Sequence, residues 1–182
     1  MKATRQLKDE HEGIGVMLDI LEKVCDKLER TGSIDREHFD GILEFLQVFV
    51  DKCHHGKEED LLFPAMIAMS DEVKAPVSVM RAEHETGRGY VGAMARGYTA
   101  YLQGERSFPG NITQNAGSYI SLLRAHIEKE NNVLFEMADR LFSDEKQNEL
   151  LEGFEKIEEE RIGRGKHEEF HALLEKLHSI YL

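Results

Sequence analysis

Four long stretches of this sequence repeat apolar residues at steps of three and four, and each stripe is interrupted by one histidine. Such spacing builds one continuous face of an α-helix. The first stripe runs Leu7, His11, Ile14, Leu18, Leu21, Cys25 and Leu28. The second runs from Phe39 through Val50, His54, Glu58 and Leu61 to Ala65, the third from Val73 through Met80 and His84 to Tyr98, and the fourth from Ile112 through Tyr119, His126 and Glu130 to Leu141. Between them lie short breaks. "RTGSID" offers Gly32 as a stop and Ser33 or Asp35 as a cap, Ser70 or Asp71 can cap the third helix, and "QGERSFPGN" forms the next loop. Four long helices joined by short loops predict an all-α chain folded as an antiparallel up-down four-helix bundle over residues 1–142. Ser143 opens a shorter acidic helix, "IGRG" interrupts it, and an amphipathic piece follows. Residues 143–182 thus form a C-terminal helical extension packed on or beside the bundle.

Histidines on a buried stripe are costly unless they are paired or bind a metal. Two of these four are followed by a glutamate four residues on, giving His54–Glu58 and His126–Glu130. At that spacing both side chains leave one face a turn apart. Height along the bundle adds a constraint. His11 and His54 are each about 21 residues from the first loop, and the other groups are similarly matched across theirs, so all six converge on one layer. Four imidazoles and two carboxylates exceed the need of one tetrahedral zinc. They suit two metals, each with two histidines, bridged by both carboxylates and an oxo or hydroxo group, with an open position left. Such mixed donors favour two iron ions, with manganese or zinc as second choices. The predicted ligands are therefore His11, His54, Glu58, His84, His126 and Glu130.

The order of His11, "HHGKE", "EH" at His84 and "HIEKE" resembles the hemerythrin-like, or HHE cation-binding, family, over residues 1 to about 142. "HHGKEEDLLFP" and "HIEKENNVLF" are the most specific parts. The resemblance implies an up-down bundle around a non-haem di-iron centre. Members include oxygen carriers and sensors, proteins linked to repair of nitrosative iron–sulfur damage, peroxide-active proteins and iron-responsive regulators. The six residues above match ligand positions of the family. The sequence departs from oxygen carriers at Met80, where they have a further histidine one turn before the one matching His84. Four histidines are expected to remain, and the iron beside Met80 is expected to be open to small ligands.

Several neighbours need placing. His55 and Glu59 share the spacing of His54 and Glu58 and form the alternative pair. The helix phase selects His54 and Glu58, which leaves His55 outside the ligand set or facing solvent. Tyr119 could line an open metal position, although packing in the core is the simpler reading. Cys53 reads as a small buried hydrophobe. His167 and His171 read as a surface pair, and Lys57 and Lys129 are expected outside the core.

With 35 acidic against 23 basic residues the net charge is −12, which argues against nucleic acid and anionic membranes as partners. Two cysteines are too few for a disulfide framework, and no apolar run reaches the length of a membrane span. The N-terminus lacks the apolar core of a signal peptide, so the expected location is the cytoplasm. Two functions follow: a di-iron protein that binds or reacts peroxide, oxygen or nitric oxide, or a non-enzymatic module that senses those gases or handles iron. Neither identifies a catalytic side chain. The acidic C-terminal helices offer a surface to a protein partner.

Overall fold

The computed structural model describes residues 2–105 and 109–182, and every regular element among them is helical. The first helix, α1, spans Ala3–Thr31. Its end is the predicted one: Gly32 takes a left-handed conformation (φ 65°) and its N–H returns to the Leu28 carbonyl. Asp35 then caps α2 (Arg36–Glu44) by accepting from the His38 N–H. Helix continues without a break through residue 69, ending in α3 (Phe63–Met69). Ser70 accepts from the Glu72 N–H and starts the turn into α4 (Lys74–Leu102). After the loop, whose residues 106–108 lie outside the described ones, α5 (Pro109–Lys129) leads by way of residues 130–134 into α6 (Phe135–Leu141). Ser143 caps α7 (Asp144–Arg161), and positive-φ Gly163 and Gly165 turn the chain into α8 (Lys166–Tyr181).

The uninterrupted runs conceal a departure from α-geometry. Residues Phe45–His55, Glu58–Leu62 and Glu130–Leu134 are π-helical, with a wider turn than the α-helix. These segments hold His54, His55, Glu58 and Glu130, so the helices deform where the polar residues cluster.

α4 packs along α5, and α5 also packs on α1. The buried apolar side chains fall into two clusters. One contains Ile14, Val50, Val91 and Leu123, and the other contains Leu7, Leu62, Met80 and Leu134. In each stripe the histidine falls between the two, so a polar layer is sandwiched between two apolar ones. The C-terminal helices join both: Leu150 and Phe154 of α7 enter one cluster, Phe170 and Leu177 of α8 the other. No described helix is long and apolar enough to cross a membrane.

Glycines set how closely the C-terminal helices approach. A Cβ at Gly153 would lie 2.7 Å from Leu61 Cδ1, and one at Gly41 would lie 3.0 Å from Leu173 Cδ1. Gly153→Leu should therefore overpack the contact of α7 with the second helical run. Overpacking costs about 1–3 kcal/mol. Each kcal/mol lowers the melting temperature of a domain this size by roughly 2–4 °C. A thermal melt checks this, and an unchanged midpoint would mean that α7 does not dock here.

Candidate metal centre

The polar layer contains seven buried residues rather than six. Two groups of potential ligand atoms form, each with all its atoms within 4.8 Å of one another: His55, Glu58, His84 and His126, and His11, His54, Glu58 and Glu130. Glu58 Oε1 faces His54 Nε2 and its Oε2 faces His84 Nε2, each at 3.5 Å. Glu130 spans the same gap, with Oε1 3.2 Å from His126 Nε2 and Oε2 3.3 Å from His11 Nε2. Each carboxylate thus has one oxygen toward each group.

The arrangement fits metal ions. All four oxygens of Glu58 and Glu130 are buried without a hydrogen-bond partner among the described residues, a state costly to leave uncompensated. The Nε2 atoms of His11 and His54 lie 2.9 Å apart, and those of His84 and His126 lie 3.1 Å apart. Two imidazole nitrogens at about 2.1 Å from one ion, at right angles, sit about 3 Å apart. Lone pairs converging at that spacing are what an ion would hold.

The outward ring nitrogens fix this orientation. His54 Nδ1 donates to Glu10 (2.7 Å), His84 Nδ1 to Glu59 (2.6 Å), His126 Nδ1 to Glu83 (2.9 Å) and His11 Nδ1 to Asn131 Oδ1 (2.8 Å). These oxygens only accept, so each Nδ1 carries the proton and each Nε2 is free to ligate. Glu10 and Glu83 each precede a stripe histidine yet serve the histidine of a neighbouring run, a crosswise pattern visible in sequence only as an acid immediately before His11 and His84.

His55 differs from the expectation set for it. It is 4% exposed, and its ring stacks on His84 with centroids 3.8 Å apart. The reading in phase with an α-helix placed it outside because adjacent residues there point well apart, whereas the wider π-helical turn lets His54 and His55 both face inward. Five histidines are therefore gathered. Met80, one turn before His84, packs in an apolar cluster, while His55 comes into the layer from the neighbouring run. Glu59 lies outside both groups of potential ligand atoms: it accepts from His84 Nδ1 and pairs with Arg88 at 2.9 Å. His55 is also the one imidazole not firmly held. Its Nδ1 has no hydrogen-bond partner, and Asp51, 3.5 Å away, is engaged by Arg88 at 2.7 Å. A cavity of about 150 Å³ adjoins it, lined also by Gly87 and Tyr119. Tyr119 thus sits beside His55, with its hydroxyl pushed upward by burial.

Lys57 also departs from expectation. It is fully buried rather than outside the core, because α7 covers it. Its ammonium reaches Glu10 at 2.5 Å and also contacts Glu158 of α7. Burial opposes the charge on both sides of this pair, but the partners prevail: Lys57 is shifted upward, and the His54 hydrogen bond and the Lys57 charge hold Glu10 at about 2. Lys129 stays on the surface, paired with Glu83. Cys53 is fully buried, and burial raises its thiol to about 12, which suits a small hydrophobe. Between the central carboxylates, burial and the facing Glu130 raise Glu58 far above the usual range. Burial would raise Glu130 too, but His126 and His11 hold it well below.

The chain matches the hemerythrin HHE cation binding domain over residues 2–138, and it belongs to that family. No curated protein and no solved structure matches it. Its His/Glu cluster is one that could bind metal.

The anchoring differences have a measurable consequence. Losing an acceptor behind a metal-bound histidine typically costs 10–100-fold in affinity. Glu83→Ala should weaken metal binding by about that factor in a chelator competition. Asp51→Ala should cost less than about tenfold, since His55 Nδ1 has no close acceptor to lose. Equal losses would show that His55 is held as firmly as the others.

Proposed function

We propose that this chain is a non-haem di-iron protein that binds or reacts small oxidants, namely peroxide, oxygen or nitric oxide. The observation that carries this reading is the set of five imidazoles around two buried carboxylates whose four oxygens have no hydrogen-bond partner among the described residues. In it, His55, His84 and His126 would hold one ion and His11 and His54 the other, with Glu58 and Glu130 within reach of both. The four long helical runs form the antiparallel up-down bundle of the family over residues 1–142, and residues 143–182 are an extension packed against it.

Iron suits mixed imidazole and carboxylate donors, and a bound pair would together supply the two electrons that, with two protons, reduce peroxide to water. The side chains make the two positions unequal. His55, His84 and His126 would offer three imidazoles to the first ion, whereas His11 and His54 would offer two to the second, so a small exogenous ligand would find room near His11 and His54. Phe135, stacked on His11 with centroids 5.5 Å apart, gives that side an apolar wall. Glu10 and Asn131 keep the two imidazoles turned inward and their outer protons in place.

A second reading, a sensing or iron-handling module, draws on the link from His54 through Glu10 and Lys57 to Glu158. That chain of contacts connects the site to the C-terminal extension and could report the state of the metal there.

Iron reconstitution followed by elemental analysis should give two ions per chain, with the charge-transfer band of a bridged diferric pair. His54→Ala should leave one ion, and azide should shift the band of the unmodified protein. The loaded form should melt above the metal-free form, because a ligand bound only to the native state stabilises it, by about 2.7 kcal/mol at a hundredfold excess over its Kd. One ion or none per chain, or equal melting temperatures, would overturn the di-iron assignment. Peroxide turnover by the loaded protein separates the two readings.

A further inference from the structure

Gly56 stands between the two π-helical segments of the second run, Phe45–His55 and Glu58–Leu62. Its backbone is ordinary right-handed helix (φ −62°, ψ −40°), which any residue adopts. Glycine in a helix interior is less stable than alanine, so conformation does not account for it. Space does. A Cβ at this position would overlap Arg161 Nη1, and the next nearest atoms, Cζ at 3.3 Å and Cδ at 3.9 Å, belong to the same side chain. The absence of a side chain at position 56 is what lets the guanidinium at the end of α7 lie against the second run.

That guanidinium makes two contacts on the second run, one to each side of Gly56. Nη1 donates to the Lys52 carbonyl at 3.3 Å, in the first π-helical segment. Nη2 pairs with Asp60, in the second. The Lys52 carbonyl lies where the chain leaves α-geometry. Its α-helical partner, four residues on, would be the Gly56 N–H. Here that N–H turns to the Cys53 carbonyl instead. Arg161 thus brings a donor to a carbonyl that the change of pitch has released. His54 and His55, the pair that α-geometry cannot turn inward together, follow directly after Cys53. The neighbouring contacts of α7 fall on the same stretch, with Leu61 seated at Gly153 and Lys57 paired with Glu158.

We propose that Arg161 is a positioning residue for the polar layer: by spanning Lys52 and Asp60 across Gly56, it holds the wider helical pitch that brings His55 in beside His54. A planar guanidinium carries its donors in a fixed fork and sets the distance between the two groups it ties, whereas an ammonium is a point charge without that span. Without the tie the ladder closes toward α spacing, in which adjacent side chains point about 100° apart, and His55 leaves His84. This role rests on the metal reading above only in what His55 does for an ion, not in where its ring lies.

Two measurements test it, the first on the metal-free chain. The His55 ring is stacked on His84 with centroids 3.8 Å apart, so its ring protons are shielded by that neighbour. Arg161→Ala and Gly56→Ala should each move those proton resonances toward unstacked values. Arg161→Lys, which keeps the charge, should not restore them. Arg164→Ala, at an exposed arginine just beyond α7 that pairs with Glu159, should leave them in place. The second measurement is chelator competition with cobalt(II). Arg161→Ala should weaken binding by about tenfold, the lower end for losing support behind a ligand. With His55→Ala already present, the same change should cost less than about threefold more, because both act through one imidazole. Gly56→Ala should match Arg161→Ala, and the two together should cost no more than either, although alanine is the better helix former. His55 resonances unmoved in a folded Arg161→Ala or Gly56→Ala chain, or an undiminished loss in the His55→Ala background, would overturn the proposal. A chain that binds no cobalt(II) would overturn the metal reading, and the proton resonances would then decide the role of Arg161 alone.

Discussion

Two glutamates facing each other in the buried interior are the constraint around which this molecule is arranged. Glu58 and Glu130 are fully buried, and none of their carboxylate oxygens has a hydrogen-bond partner among the described residues. A pair of like charges in such a place is tolerated by taking up a proton or by holding cations between them. The opposite shifts of the two, Glu58 upward and Glu130 downward, express the first solution. The converging lone pairs of the imidazoles prepare the second. Nearly every other feature of the core serves to keep this layer in position: apolar clusters close it above and below, and acceptors behind four of the five imidazoles lock their rings.

That arrangement imposes its own demands on the helices. Regular α-geometry cannot turn His54, His55 and Glu58 all toward one layer, and the second run widens into π-helix around them. The fourth run does the same from Glu130 onward. The second run also brings Lys57 into the interior. Burying an ammonium is unfavourable unless it is fully paired, and its two partners come from opposite ends of the chain, Glu10 in α1 and Glu158 in α7.

How much of this could be read in advance follows from which interactions are local. The stripes, the stop at Gly32 and the caps depend on residues within a few positions, and the structure uses Asp35 of the Ser33/Asp35 alternatives, Ser70 of the Ser70/Asp71 alternatives, and Ser143. The convergence of His11, His54, Glu58, His84, His126 and Glu130 on one layer followed from helix length alone. His55 did not follow, because its inward turn depends on a local change of helical pitch that an assumption of α-geometry excludes. Lys57 did not follow either, since nothing near it in sequence reveals that α7 covers it. The doublet of histidines in "CHHGKEEDLLFP" was the one local sign that two imidazoles were in play.

The two sides of the polar layer are unequal in a way that gives the C-terminal helices a role. On the side with three imidazoles, His55 rests beside a small cavity with no close acceptor behind it. On the side with two, His54 is held by Glu10, Glu10 by Lys57, and Lys57 by Glu158. Glu158 lies beyond residue 138, where the match to the family domain ends. The polar layer is therefore carried within the family domain, while the charge balance behind one of its histidines is completed by a residue outside it. A displacement of α7 would remove a carboxylate from a buried ammonium, leave Glu10 as that ammonium's sole partner and redirect its pull on His54. Through that route α7, which lies outside the matched domain, bears on the polar layer inside it.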